Sequence, residues 1–403
     1  MANGMGHAHP APAPLGGRLI TPVTVILGIL SLIAGGIVVV RLIFGIGAVT
    51  NINDGYPWGI WIAYDLVTGS ALACGGYSVA ILVYIFNRGE YHPLIRPALV
   101  GSLLGYMMAG VSIGLDIGRY WNGWHIFWPG YAQPGSVMFE LATCITAYIL
   151  VMCIEFAPVL AEKLNEFAPA LAQKFNVPSL HRGLKKWMFV LVSFGILLPT
   201  MHQSSIGSML IVAGDQINPL WGTLMLPLLF LISAITMGYA MVIFEATLSS
   251  LGFKRPRETE ILARLSKWML GLMVIWLAIR FSDLLYRGAL GLAFVPGIQS
   301  FMFWVEIALF ALPIALLAGE AARLKPQRLF LAAVLMALAG FAYRLNCFLI
   351  GYDTGPGWHY FPSLPELMFT VGLIAFEALA FIILVRTLPI MPAVHTVPAA
   401  AAE

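Results

Sequence analysis

The stretch TPVTVILGILSLIAGGIVVVRLIFGIGA, residues 21–48, is apolar almost throughout and contains a single charged side chain, Arg41. A helix that crosses the hydrocarbon core of a bilayer needs about 20 mostly apolar residues. The stretch therefore predicts a membrane-spanning helix. It is longer than the apolar core of a secretory signal peptide, which has about 7–15 residues, so we expect the helix to be retained.

Stretches of the same kind recur along the whole chain. Of the 403 residues, 60% are hydrophobic and 10% are charged. A soluble fold of this length has too little interior to bury so much apolar surface. The sequence therefore predicts an all-α integral membrane protein with about ten transmembrane helices. The predicted spans are residues 21–48, 57–86, 95–118, 136–160, 185–213, 221–250, 262–286, 299–320, 327–350 and 364–389.

The two ends of the chain are predicted to be tails on one side of the membrane. Residues 1–19 are rich in Ala, Pro, Gly and His, which is typical of a disordered tail, and residues 390–403 form a second tail. Residues 20–389 form a single membrane domain in this interpretation. Most of the 22 Lys and Arg residues fall in the tails and in alternate loops. The positive-inside rule then places both termini in the cytoplasm, with the chain in a bacterial inner membrane.

Similar motifs occur four spans apart. SVMFE at 136–140 resembles SFMFWVE at 300–306, and an aspartate lies near the end of both the third and the seventh span. This recurrence predicts two parallel four-helix bundles, residues 57–213 and 221–350, with the first and last spans outside them as flanking helices.

Five arginines do not follow the charge pattern, because they lie towards the outer ends of their spans. A buried cation costs about 2.5–3.5 kcal/mol on insertion scales, so we expect anionic partners near the outer face. The alternative is that these side chains extend to the outer head groups. The five are Arg41, Arg119, Arg280, Arg287 and Arg344.

The composition argues against several cofactors and partners. A net charge of +3 is too small to indicate a nucleic-acid partner. The four cysteines lie in apolar stretches without C-x-x-C spacing, so neither a metal site nor an iron–sulfur cluster is expected. A membrane haem b usually takes two axial histidines. Because His202 is the only histidine deep in a span, we expect no haem.

Polar residues inside spans are functional candidates by default. The fifth span contains PTMHQSSIGS at residues 199–208. Proline inside a helix frees a backbone carbonyl, so we expect the helix to break at Pro199, and His202 and Gln203 to face a cavity. The alternative is that the Ser and Thr residues only help helices to pack.

The polar residues of the first bundle are predicted to line one pocket that opens towards the outer half of the membrane. A quinone head group needs hydrogen-bond donors at its carbonyls and proton donors for its reduction, and apolar walls suit its isoprenoid tail. Glu155 and Glu245 lie nearer the cytoplasm and extend the pocket into a stepped proton path. The alternative is that both side chains only extend to the membrane–water interface. The pocket residues are Asp65, Asp116, Arg119, Glu140 and His202.

Several longer motifs resemble a known family. The chain resembles the HybB-type membrane subunits of nickel–iron hydrogenases, in the NrfD family of quinone-reactive membrane anchors. The resemblance covers nearly the whole chain. The motifs are PWGIWIAYD at 57–65, FNRGEYHP at 86–93, DIGRYW at 116–121, FE at 139–140, EFAP at 155–158, LPTMHQSS at 198–205 and VIFE at 242–245.

The resemblance implies a function and partners. Such subunits have no haem or iron–sulfur cluster of their own. They bind a periplasmic ferredoxin-like iron–sulfur protein, which links them to the small and large hydrogenase subunits. Electrons then pass to menaquinone or ubiquinone, in association with proton translocation. The positions that match functionally important polar residues of the family are Tyr106, Glu140, Glu155, His202 and Glu245.

The resulting hypothesis is a quinone-reducing subunit of a hydrogen:quinone oxidoreductase complex, which does not itself activate hydrogen. Glu140 and His202 are the catalytic candidates, and Asp65, Glu140, Glu155 and Glu245 form the proton path. A secondary transporter, which also combines repeats with buried acids, and a passive membrane anchor are the alternatives. The candidate quinone-binding residues are Tyr106, Asp116, Arg119, Tyr120, His202 and Gln203.

Overall fold

The computed structural model describes residues 12–169 and 177–392. Within these residues, 10 helices are long and apolar enough to cross a membrane, which confirms the prediction of an all-α, multi-pass membrane protein. The helices are α1 (Pro22–Phe44), α2 (Trp61–Ile85), α3 (Gly89–Asp116), α4 (Val137–Phe167), α5 (Val177–Ala213), α6 (Leu226–Gly252), α7 (Thr259–Tyr286), α8 (Ile298–Leu316), α9 (Pro326–Ile350) and α10 (Leu364–Thr387).

The helices pack as two rings with a flanking pair. Helices α2 to α5 contact one another in sequence, and α5 returns to α2; helices α6 to α9 form a second ring in the same way. The rings meet where α6 packs against α2 and α5. Helices α1 and α10 pack together outside the first ring. A Cβ atom at Gly372 would lie 2.5 Å from the Ala34 Cβ, so a residue without a side chain allows this close approach.

The irregular helix of the first ring is α2. It opens with a π-helical segment, Trp61–Leu66, is interrupted at Ala73 and Cys74, and closes with a second π-helical segment, Ile81–Ile85. Helix α9 likewise ends in a π-helical segment, Asn346–Ile350. Such segments leave carbonyls without their usual partner and frequently occur at functional sites.

Helix α5 is continuous through Pro199, so the predicted break at this residue is wrong. The Thr200 hydroxyl donates to the Ile196 carbonyl at 2.8 Å, and the Ser204 hydroxyl donates to the Thr200 carbonyl at 3.1 Å. Both are bonds of a hydroxyl to the carbonyl one turn earlier, and the interruption of the backbone pattern lies in α2 instead.

The described ends of the chain meet. Strand β1 (Pro12–Ala13) pairs antiparallel with β2 (Met391–Pro392). The Leu15 amide also donates to the Val385 carbonyl at 3.2 Å. Both described ends therefore lie on the same side of the helices, which we call the chain-end side. The prediction that this side is cytoplasmic stays a prediction.

On the opposite side, two loops are joined by Glu366, which opens α10 and is fully buried. Its Oε2 accepts from the amides of Asn51 at 2.9 Å and Ser363 at 2.8 Å. The Tyr360 hydroxyl donates to Oε1 at 2.6 Å. Burial, followed by the Glu366 carboxylate, raises the pKa of Tyr360. Glu366 thus fixes the loop before α2 to the loop before α10.

Candidate functional site

A fully buried arginine crosses from the second ring to the first. The Arg344 Nε donates to the Val67 carbonyl at 3.0 Å, just after the first π-helical segment of α2. Its Nη1 lies 3.1 Å from the Ser233 hydroxyl and its Nη2 lies 3.3 Å from the Gln203 Oε1. Among the described residues, no carboxylate lies within 4 Å of Arg344. Neutral groups therefore hold this cation, which costs several kcal/mol of desolvation.

His202 lies beside this arginine network and is fully buried. Neither ring nitrogen has a hydrogen-bond partner among the described residues. Its ring packs edge-on against Tyr106, with centroids 5.6 Å apart, and Tyr106 packs edge-on against Tyr148 at 4.7 Å. Most buried polar atoms are hydrogen-bonded, so two free nitrogens on one buried ring mark a candidate site for proton transfer.

On the side opposite the chain ends, the end of α3 meets α1 at a second polar cluster, which we call the outer corner because this side is predicted to face outwards (Arg41, Asp116, Arg119 and Tyr120). The Arg41 Nε donates to the Leu115 carbonyl at 2.7 Å, and its Nη2 donates to the Ile117 carbonyl. A cation in this position stabilises a helix carboxyl end. The guanidinium also lies 5.0 Å from the Tyr120 ring centroid.

Two buried atoms of the outer corner have no partner within the described part of the chain. They are the Arg41 Nη1, a donor, and the Asp116 Oδ1, an acceptor when ionised. The two side chains form no ion pair within 4 Å. Arg119 and Tyr120 are exposed at the edge of the cluster. A ligand that both accepts and donates hydrogen bonds would satisfy both atoms.

The predicted pocket residues do not meet in one pocket. Asp116 lies at the outer corner and His202 lies between the rings, whereas Asp65 faces α10 through a hydrogen bond from Thr370 at 2.9 Å. Glu140 is half-buried in the first turn of α4, where no described side chain hydrogen-bonds to its carboxylate. The separation arises because α1 and α10 pack beside the first ring. Polar groups of α2 and α3 form hydrogen bonds with these two helices and not with one another.

Two of the predicted proton-path residues do come together. Asp65 and Glu245 line one cavity of about 100 Å³, and Glu377 is a third acid in its wall. We call it the carboxylate cavity. Tyr64 and Ser102 add hydroxyl groups to its lining.

Glu155 lies elsewhere, in a large cavity of about 1090 Å³ on the chain-end side. Tyr77 and Tyr148 form buried parts of its wall, while Pro12 and Pro392 of the strand pair lie at its edge. Since Tyr148 packs on Tyr106, the large cavity reaches the aromatic neighbours of His202.

The second ring contains a buried ion pair. The Arg280 Nη2 lies 3.6 Å from the Glu306 Oε1, and both side chains are fully buried. The other carboxylate oxygen of Glu306 accepts from Trp221 Nε1 and Asn346 Nδ2, each at 2.8 Å. Arg344, one of the five outer arginines for which an anionic partner is expected, instead binds neutral groups of both rings.

The described residues provide few ligands for a metal ion or a haem. No group of three or more His, Cys, Asp or Glu residues in that part of the chain could hold a metal ion. Of the histidines whose side chains are described, His202 lies in mid-helix, whereas His92, His125 and His359 lie at a helix end or in loops. These positions do not fit a bis-histidine haem.

The fold and these sites together define a multi-pass helical membrane protein with polar clusters beside its first ring and between its two rings. The family model described as "Polysulphide reductase, NrfD" matches residues 48–354. The chain belongs to this family, which confirms the family resemblance of the sequence motifs.

Two relatives are named as subunits of oxidoreductases. The chain is 44% identical over 384 residues to the "Probable Ni/Fe-hydrogenase 2 b-type cytochrome subunit" of Escherichia coli (strain K12), and the match covers 94% of this chain and 95% of that protein. It is 27% identical over 374 residues to the "Menaquinone reductase, integral membrane subunit" of Nitratidesulfovibrio vulgaris, and this match covers 86% of each protein. The chain is therefore similar along most of its length to a hydrogenase component and to a menaquinone reductase component.

The words "b-type cytochrome" in the name of the Escherichia coli relative do not support the expectation that this chain lacks haem. The positions of the described histidines and that name point in different directions.

Sequence reasoning missed three functional candidates. It identifies Arg41 and Arg344 only as cations at an unusual depth, and their real partners are backbone carbonyls and neutral side chains. It assigns no partner to Glu377. A carboxylate in the middle of the apolar α10 is the available signal, but nothing in the sequence indicates that it faces α3 and α6.

Proposed function

We propose that the chain is the quinone-reactive membrane subunit of a hydrogen-oxidising respiratory complex in a bacterial inner membrane. In this proposal a periplasmic ferredoxin-like iron–sulfur protein, bound to the small and large hydrogenase subunits, delivers electrons to menaquinone or ubiquinone. The names of the Escherichia coli and Nitratidesulfovibrio relatives support both the hydrogenase partner and the quinone. The chain-end side is cytoplasmic, in keeping with the distribution of Lys and Arg.

The observation that carries the proposal is the outer corner. A quinone carbonyl would accept a hydrogen bond from the Arg41 Nη1, and the Asp116 carboxylate would receive or return a proton on the other side of the ring. Both atoms are buried and without partners among the described residues. Tyr120 and Arg119 flank the ligand at the exposed edge, where an isoprenoid tail can leave towards lipid.

His202, Gln203 and Tyr106 take a different part in this proposal. They lie between the rings and not at the outer corner, so His202 and Tyr106 hold and move protons for quinone reduction, while Gln203 accepts a hydrogen bond from Arg344 and donates one to Ser70. The route runs from Glu155 in the large cavity through Tyr148 and Tyr106 to the free nitrogens of His202. Glu140 is the proton donor nearest the outer end of α4. A series of ionisable side chains of this kind suits proton transfer by general acid–base chemistry.

The electron-transfer proposal includes no haem in this chain. A reduced-minus-oxidised absorption spectrum of the purified chain tests it directly. We expect no Soret difference band. Such a band would overturn the cofactor assignment and support the cytochrome name of the relative.

Hydrogen-driven quinone reduction by the intact complex tests the function. Asp116→Asn removes the carboxylate and keeps its shape, and we expect the rate to fall by about 10²-fold, a typical contribution of a positioned acid or base. Asp353→Asn, in an exposed outer loop, is the matched control and should reduce quinone at the normal rate. A complex in which Asp116→Asn also works at the normal rate contradicts the proposed site. A complex that reduces no quinone contradicts the proposed function.

A further inference from the structure

Glu377 is a half-buried acid to which the proposed route assigns no role. It lies in the middle of α10 and lines the carboxylate cavity with Asp65 of α2 and Glu245 of α6. Three carboxyl groups therefore enter one cavity of about 100 Å³ from three helices. Like charges that line one small cavity in a low dielectric cannot all be ionised at low cost. We therefore expect at least one of the three acids to carry a proton.

The remaining wall of the cavity is α3, where two glycines one turn apart leave room for the acids. A Cβ atom at Gly101 would lie 2.5 Å from the Glu245 Oε1, and one at Gly105 would lie 3.2 Å from the Glu377 Oε1. Each carboxylate thus rests against a position without a side chain. This fit holds Glu245 and Glu377 side by side along α3.

The cavity has the size and polarity to hold water. Each liquid water occupies about 30 Å³, so a cavity of about 100 Å³ accommodates about three molecules. The Asp65 Oδ1 is buried and has no hydrogen-bond partner among the described residues, although Thr370 satisfies the other oxygen. An acceptor left free in a polar cavity is an attachment point for such a water.

A smaller cavity continues the path to the chain-end side. Its volume is about 40 Å³, and it shares Glu245 and Ala98 with the carboxylate cavity. Arg255 and Glu258, which lie between α6 and α7, form its far end. Burial raises the pKa of Glu258, and the nearby Arg255 partly offsets this. Glu258 is therefore suited to hold a proton at the entrance.

We propose that Glu377 is a proton-transfer residue that links Glu245 to Asp65 through water in the carboxylate cavity, with Glu258 at the entrance. A proton leaves the Glu245 carboxyl for a water, the water protonates the Glu377 carboxylate, and the same exchange passes a proton on to Asp65. No electron moves in these steps. The relay rests on the proposed function in one respect: its role is to supply protons for quinone reduction.

Infrared spectroscopy of the full chain in lipid nanodiscs tests the relay without hydrogen or quinone. The wild-type-minus-Glu377→Gln spectrum should contain a carboxylic acid C=O band that shifts when H₂O is replaced by D₂O. In Glu245→Gln, the band remaining from Glu377 should shift at least about tenfold more slowly, because the entry step is lost. Glu320→Gln, on an exposed acid, is the control and should leave both observations unchanged. An absent band, or an unchanged exchange rate in Glu245→Gln, overturns the relay.

Activity of the intact complex then separates the two proposals. Glu377→Gln should slow hydrogen-driven quinone reduction at least about tenfold, while Glu377→Asp, which keeps an acid, should restore most of the rate. If the wild-type complex reduces no quinone but the infrared result holds, the proposed function fails and the relay stands. If Glu377→Gln and wild type reduce quinone equally fast, the relay fails and the function stands.

Discussion

The ion pair of the second ring and the carboxylate cavity give their acids opposite surroundings. In the ion pair, one oxygen of Glu306 faces Arg280 at 3.6 Å and the other accepts two hydrogen bonds of 2.8 Å. In the carboxylate cavity, Asp65 has one oxygen without a partner among the described residues, and Glu245 and Glu377 line the cavity with it. A paired buried charge holds a structure together, whereas an acid beside a cavity is free to exchange its proton.

The arginines show the same contrast. Arg280 has a carboxylate partner, while Arg344 and Arg41 contact carbonyls and neutral side chains. Arg344 and Arg41 are therefore charged groups that no described carboxylate within 4 Å compensates. A charged side chain inside a membrane costs free energy, and for that reason such groups are functional candidates.

The largest expected effect on stability comes from removing the acid of the Arg280–Glu306 ion pair. Glu306→Ala leaves Arg280 as an uncompensated buried cation, and we expect the free energy of unfolding in detergent to fall by about 3–5 kcal/mol. Glu377→Gln, which removes an acid from the carboxylate cavity, should change it by less than about 1 kcal/mol. Denaturant titration of both variants measures the difference. Equal losses would show that the contrast between the ion pair and the carboxylate cavity has no energetic basis.

A smaller loss is expected at the outer loops. Glu366→Gln places an amide nitrogen where one oxygen accepted hydrogen bonds from Asn51, Ser363 or Tyr360. Leaving such buried groups unpaired costs about 1–3 kcal/mol. Limited proteolysis should then cut the outer loops faster than in the wild type. Unchanged protection would mean that Glu366 does not fix these loops.

The most selective prediction concerns a single methyl group. Gly101→Ala puts a Cβ atom 2.5 Å from the Glu245 Oε1, which forces the carboxylate of Glu245 to leave its present position. We expect hydrogen-driven quinone reduction to slow by about tenfold. Gly114→Ala on the same helix is the matched control, since a Cβ atom there meets nothing within 4 Å. The idea fails if both variants keep the wild-type rate.

The positions of the helices could be predicted from the sequence because a bilayer requires about 20 apolar residues. The predicted and observed bounds of the tenth span, 364–389 and Leu364–Thr387, differ by two residues at one end. The fourth span is predicted to end at residue 160, but α4 continues to Phe167. The extra turns carry charged residues, so an apolar pattern cannot indicate them.

The partners of the polar residues could not be predicted in the same way. A membrane helix is apolar on faces that contact lipid and on faces that contact protein, so its pattern does not say which neighbour a side chain meets. Glu377 and Gly105 are far apart in sequence, yet they face each other across the carboxylate cavity. The division of the chain into two repeats also stays a prediction, although each set of four helices closes into a ring.

The position of the quinone tests the central claim most directly. A photoreactive menaquinone analogue is irradiated with the intact complex, and the labelled peptides are identified by mass spectrometry. The account predicts labels at the outer corner, on peptides that contain Arg41 or Tyr120, and their loss when excess menaquinone competes. Labels on Tyr77 or Tyr148, which line the large cavity on the chain-end side, would contradict it.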